Sequence, residues 1–277
     1  MKFTKRLAMY LLIALAVVAA TLLSSCGQQA DAGVIMREVK TDAEEMKSCS
    51  VSTTSSLKFT ANGQQHSFQS SSKIDYHSSP FAMKSVQTSH SDGENSSSES
   101  YTVPENGTTD FYCRTSSGWQ KTDAKDLDPS PFSQISIMQM LNQVQDQKYV
   151  RKTEVDSQKV HKIELHLKNE ILRSTVENIV TASGMGENSK TIVQALLDSA
   201  PDIYGYCYIN AGSGHLVRLE LDAADEVNHI FQNIDGSAVK IKVSKCQICG
   251  NFSRIDNAPA VILPDGAKNA SATQAKG

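Results

Sequence analysis

The side chains with the most chemical capacity in this 277-residue sequence are six cysteines and seven histidines. Cys246 and Cys249 stand two residues apart in KCQICGN, a spacing that serves half of a zinc site, a dithiol redox pair, or two unreactive thiols. A zinc site needs two further ligands, and no second C-x-x-C or C-x-x-H supplies them as a pair. A redox dithiol of the thioredoxin kind opens a helix, where the helix N-terminus activates the first thiol. Here strand-like VKIKVSK precedes, and the turn-prone Gly250-Asn251 and then strand-like FSRI follow, so the sequence predicts that the pair sits in or near a hairpin turn. A structural role carries the most weight, a Cys246–Cys249 disulfide or redox pair comes second, and metal binding last. Cys49, Cys113 and Cys207 fall in strand-like segments and read as small buried hydrophobes.

The histidines assemble no catalytic motif. His161 and His166 are five apart on a predicted strand, so they face opposite sides and do not chelate one ion together. There is no G-x-S-x-G nucleophile elbow, H-E-x-x-H helix, Walker loop or dinucleotide fingerprint. Ser213, between Gly212 and Gly214, reads as a turn serine, and Glu44-Glu45 and Asp222/Asp225 as exposed charges. The expectation is a protein that is not an enzyme and holds no cofactor or metal.

A sixth cysteine has a clearer chemistry. Lys2, Lys5 and Arg6 precede an apolar run from Leu7 to Leu23, and Leu23-Ser24-Ser25-Cys26 follows at once. Seventeen residues lie at the lower edge of what spans a bilayer, and the small residues behind them suit cleavage. The tetrapeptide looks like a bacterial lipobox, in which the Cys26 thiol receives a diacylglyceryl group and becomes the new N-terminus. Two acyl chains give the stable membrane anchoring that one chain lacks. Residues 1–25 then form a signal peptide and 26–32 a lipidated tether; residues 33–268 form one domain and 269–277 a disordered tail. Losing three cations with the signal takes the net charge from −3 to −6, which argues against nucleic acid as a partner.

The elements that would carry these residues are mostly strands. Asp31 can cap a helix with Ile35, Val39, Ala43 and Met46 on one face. Cys49, Val51, Leu57 and Phe59 then alternate with hydroxyl-bearing residues, the period of a strand with one buried face. Asn62-Gly63 turns the chain, and Phe68, Ile74 and Tyr76 line the return strand. Pro80 breaks it, Phe81 and Met83 begin another, and SHSDGENSSSES (89–100) reads as an exposed loop or hairpin tip. Helices are predicted over 128–147 (Ile137, Met140, Leu141, Val144), around Leu172, Val176 and Val180, and around Ile192, Val193, Leu196 and Leu197. Between and after them come strands bearing Ile163, Leu165 and Leu167, a hairpin about Gly212-Ser213-Gly214, and the two late strands flanking the C-x-x-C. Long one-faced strands need a cover, and helices are available, so the fold class is α+β.

This order, with the lipobox, the helix ending AEEMKSCSV, the FYCRTSSGW pair, the YGYCYINAGSGHLVRLEL hairpin and the closing NAPAVILPDGAKNA, resembles bacterial lipoproteins of the LolA/LppX-like superfamily. The resemblance covers most of residues 33–268. It implies a strongly curved antiparallel sheet, an incomplete barrel, with helices packed on its concave side. It also implies a Gram-positive source and a lipid-anchored protein on the extracytoplasmic face of the cell membrane. The implied ligand is a lipid or other hydrophobic molecule, in a cavity that Leu57, Phe59, Phe68, Ile74, Phe81 and Met83 would line. A surface structural or interaction lipoprotein with no small-molecule ligand is the alternative, and a thiol-redox protein a third.

Overall fold

A computed structural model describes residues 31–105, 108–123, 141, 144–173, 176–177, 194–195, 197–198, 202–232 and 240–270. The expected signal peptide and lipobox lie outside these residues, as do most of the helix expected over 128–147 and parts of the two that follow it. The described chain opens as its sequence predicts. Asp31 accepts hydrogen bonds from the Gly33 and Val34 N–H groups and caps helix α1 (Ala32–Glu45). Its buried positions are Ala32, Met36 and Val39, so Met36 rather than Ala43 faces the core.

Eleven strands follow: β1 (Ser48–Ala61), β2 (Gln64–Ser78), β3 (Phe81–Ser91), β4 (Glu94–Glu105), β5 (Thr108–Thr115), β6 (Gly118–Asp123), β7 (Val144–Val155), β8 (Gln158–Leu167), β9 (Ile203–Asn210), β10 (Leu216–Asp222) and β11 (Ile241–Ser253). They form one antiparallel sheet in the order β6-β5-β4-β3-β2-β1-β11-β10-β9-β8-β7, open at β6 and β7 and not closed into a barrel. Every neighbour is adjacent in sequence except one. β1 pairs with β11, and that pairing joins an N-terminal meander to a C-terminal one. Helices are few: α1, a 3-10 turn at Asn169–Leu172, α2 (Ala224–Gln232) and α3 (Asp265–Lys268) are described end to end, and residues 141, 173, 176–177, 194–195 and 197–198 are also helical, as the spacing around Leu141, Val176 and Leu197 predicts.

Turn chemistry sets the registers. Asn62 and Gly63 both take positive φ (52° and 82°), the backbone that suits a two-residue hairpin. Asp92-Gly93 repeats it, with φ of 46° and 95°. Of the two expectations for 89–100, an exposed loop or a hairpin tip, the structure has the hairpin tip. Only Asp92-Gly93 turns, and its serines continue β3 and β4, where Ser89 bonds Ser96 across the ladder at 2.6 Å. Val144, assigned to a helix face by its spacing, instead opens β7.

The largest correction concerns the C-x-x-C. β11 runs unbroken for 13 residues, so Cys246 and Cys249 lie inside a central strand and not in a turn. Gly250 and Asn251, which read as turn residues, are paired on both sides: Gly250 with Thr53 of β1 and with Leu219 of β10. Helix α2, which the sequence reading left unassigned, lies just before β11. Asn228 of α2 donates to the Val243 carbonyl at 2.6 Å and accepts from the Val243 N–H at 2.7 Å. That contact falls beside the bulge where the β1–β11 register shifts between Lys58 and Phe59.

One face of the sheet, with α1 and α2, holds the main core. It includes Met36, Val39, Cys49, Val51, Leu57, Phe59, Ile163, Leu165, Cys207, Ile209, Val227, Ile230 and Cys246. On the other face the C-terminal segment packs over Tyr101 and Tyr112 through Val261, Leu263 and Ala267. Phe59 is 1% exposed and stacks on His66 and Phe68, with centroids 4.9 and 6.1 Å away. Replacing Phe59 by Ala is expected to cost about 3–5 kcal/mol in urea unfolding, whereas Ser97→Ala on exposed β4 should change stability by no more than about 0.5 kcal/mol.

Candidate functional site

The six side chains expected to line a cavity all belong to the core-facing side of β1–β3, but they are not equivalent. Leu57, Phe59 and Ile74 are buried in the main core. Phe68 and Met83 are half-buried against it, and Phe81 meets Tyr76 edge-on at 5.9 Å. Register shows how this face continues. Cys49 opposes Tyr76, Tyr76 opposes Met83, Met83 opposes Thr102, and Thr102 opposes Phe111, so all five share the core-facing side. Phe111 is half-buried too. Over β8 and β9 the same face is closed, with Ile163, Leu165, Leu167, Ile203, Cys207 and Ile209 at 0–1% exposure. Over β2–β5 it leaves Phe68, Tyr76, Phe81, Met83 and Phe111 within reach of solvent.

Between these apolar rows lies a band of hydroxyls. Thr53 bonds Ser72 at 2.6 Å, and Ser55 bonds Ser70 at 2.8 Å. Ser70 and Ser72 thus satisfy their hydroxyls across the ladder.

The opposite face carries a groove of about 470 Å³ across β11, β1, β2, β3 and β4. Two cross-strand rows make most of its lining. In one, Cys249, Thr54, Ser71 and Thr88 stand in register; in the other, Gln247, Ser56, Gln69, His90 and Asn95 do. Lys245 also lines the groove, and the groove is bordered by Ser55, Ser70 and Ser89, which stand in register between the two rows with side chains of core-facing parity. The sequence reading did not find this site. Its only early signal was the long run of polar residues at outward parity, which says which face they share but not which five strands bring them together.

The thiols behave accordingly. Residues three apart on one strand point to opposite faces, so Cys246 lies in the core while Cys249 lines the groove. No disulfide joins them. Burial, then the carboxylates of Asp222 and Glu226, pushes the Cys246 thiol up to about 12; burial takes Cys49 and Cys207 to about 12 as well. Burial also raises Cys249, partly countered by the Arg218 guanidinium. These are the opposite of the electropositive, accessible settings that activate a thiolate.

The histidines stay dispersed. His161 lies against Tyr149, and burial lowers its pKa; His166 stacks on Tyr204 and faces Asp202 at 3.1 Å. Among the described residues no three His, Cys, Asp or Glu side chains gather to hold a metal ion, and no helix is long and apolar enough to cross a membrane.

A family model described as a family of unknown function (DUF6612) matches residues 31–202. The chain belongs to that family. The matched region runs from the α1 cap to the residue before β9, so it holds β1–β8 and omits the three strands that complete the sheet. No curated protein matches the sequence. Similar solved structures include LprF from Mycobacterium bovis, 14% identical, with a TM-score of 0.47 over 84% of this chain and 95% of that one. The Mycobacterium tuberculosis lipoprotein LppX is also 14% identical, with a TM-score of 0.43 over 82% of this chain and 96% of that one. A Vibrio parahaemolyticus domain named for outer membrane lipoprotein sorting is 10% identical, with a TM-score of 0.24 over 82% and 92%. These neighbours are of the LolA/LppX-like kind that the sequence resembles. With each TM-score below 0.5, what the chain binds is argued from its own residues.

Alkylation of the native protein at pH 8 should leave Cys49, Cys207 and Cys246 unmodified until denaturant is added, while Cys249 and Cys113 react slowly. Mild oxidation should give no Cys246–Cys249 disulfide, read by peptide mass spectrometry.

Proposed function

We propose that this protein is a non-catalytic lipoprotein of a Gram-positive cell envelope that binds a lipid or other hydrophobic molecule. In this reading Cys26 carries a diacylglyceryl anchor, and residues 26–32 tether the domain to the extracytoplasmic face of the membrane. The sheet curves into an incomplete barrel with helices on its concave side, and the ligand lies between them.

One observation carries the ligand reading. On a single face, the side chains over β8 and β9 are fully buried, whereas Phe68, Tyr76, Phe81, Met83 and Phe111 over β2–β5 are left half-buried. Aromatic rings and a thioether contribute large apolar area, and Met adapts to ligands of irregular shape. Such a surface gains free energy in proportion to the apolar area a ligand removes from water, about 25 cal/mol per Å². The polar residues beside it (Thr102, Ser100 and Ser85) can orient a ligand headgroup by hydrogen bonding.

A fluorescent long-chain fatty acid titrated into the full chain in mild detergent tests the ligand. Binding is expected to saturate, and the double variant Met83→Gln, Phe111→Ser should weaken it about tenfold with the same circular dichroism. A probe that ignores the pair would remove the inner face as the site. Anchoring is tested separately: Cys26→Ala should abolish palmitate incorporation in cells and leave residues 1–25 on the chain, read by intact mass spectrometry.

A further inference from the structure

The polar groove on the opposite face is separate from the half-buried apolar surface. Four facts define it. Its volume, about 470 Å³, lies within the roughly 300–1,000 Å³ that small-molecule sites occupy. Its lining offers hydroxyls (Thr54, Ser56, Ser71, Thr88), carboxamides (Gln69, Gln247, Asn95), one imidazole (His90) and one ammonium (Lys245), with no carboxylate. The Ser56 hydroxyl oxygen is buried and has no hydrogen-bond partner. Lys245 is half-buried and, among the described residues, enters no ion pair.

Buried polar atoms in folded proteins are nearly always satisfied, and an exception calls for a ligand or bound water. The rest of the lining is organised around Ser56. Ser71 and Thr88 bond each other at 2.8 Å, as do His90 and Asn95, and Gln247 is held by Asp222 at 2.8 Å. These bonds use one lone pair or proton of each group and leave others directed outward, since a hydroxyl has three hydrogen-bonding positions and a carboxamide four. The groups repeat across strands about 4.8 Å apart and along each strand about 6.6 Å apart. The result is a flat lattice of groups, most of which can both donate and accept.

We propose that this groove binds a saccharide of one or two rings, neutral or anionic. A ligand with hydroxyls on every ring carbon matches a lattice of that kind, because each contact can be made in either sense. The absence of lining carboxylates and the presence of Lys245 disfavour a cationic sugar. A lipid chain is excluded from this face, because covering the hydroxyls and amides with methylene groups would leave them unpaired. Cys249, at the end of one row beside Glu220, borders the site and takes no covalent part in it.

Saturation-transfer NMR of the full chain in detergent tests the proposal, with maltose, N,N′-diacetylchitobiose and glucuronic acid as probes and inorganic phosphate as control. Transfer to at least one saccharide is expected. Thr88→Trp, which suits a strand and fills the groove, should abolish it. Ser56→Ala should weaken binding about fivefold while leaving the melting temperature unchanged, since that hydroxyl has no internal partner to lose. Three results would overturn the proposal: no transfer to any of the three sugars, transfer undiminished by Thr88→Trp, or loss of all transfer, the neutral sugars' included, on adding inorganic phosphate. The fatty-acid titration of the inner face reads a different surface, so either site can fail without the other.

Discussion

The pairing of β1 with β11 is the constraint on which everything else rests. Each of the two meanders needs only local turns to form, but nothing local joins them. Twelve residue pairs from Ser50–Ser253 to Ala61–Ile241 do so, between strands separated by nearly the whole domain. β1 is held on its other side by β2 in an unbroken register from Ser48–His77 to Ala61–Gln64. The central strands are thus paired on both edges. Closing so long a loop costs entropy before any contact repays it, which predicts slow assembly of the two halves relative to each hairpin.

That central pairing also explains why one sheet can present two unlike surfaces. On the core-facing side the strands carry Cys49, Val51, Leu57, Phe59 and Cys246, and α1 and α2 pack with them. On the other side the same strands carry Thr54, Ser56, Gln247 and Cys249, which a helix could cover only by leaving their polar groups unpaired. Alternation within each strand separates apolar from polar, and register aligns like with like across five strands. The strand that contains the C-x-x-C contributes one thiol to each side. Its spacing, which invites a redox reading, is the spacing that makes such chemistry hardest in a strand.

Much of this was legible in the residues, and what was not has physical causes. The β1 alternation, the Asn62-Gly63 turn and the Asp31 cap are local, so they could be read directly and the structure agrees with them. β11 was misread because Gly250 and Asn251 carry local turn propensity, while tertiary pairing on both edges holds them extended. Helix α2 is short, and only Asp225 and Glu226 near its start and Val227, Ile230 and Phe231 at helical spacing announce it. The serine stretch at 89–100 has weak strand propensity, and it forms a hairpin tip rather than a loop because β2 templates β3 and β3 templates β4. The groove was out of reach altogether: parity gives a face, but only register shows that Ser56, Gln69 and His90 are neighbours.

We propose that the half-buried apolar surface over β2–β5 holds a hydrophobic molecule. Native mass spectrometry of the full chain, extracted in mild detergent from the membranes of its own host, measures this most directly. The account predicts a population carrying an added mass that organic solvent releases as a lipid, and that is lost when Met83 and Phe111 are made polar. A chain that emerges bare from host membranes, and stays bare after incubation with its extracted lipids, would contradict it.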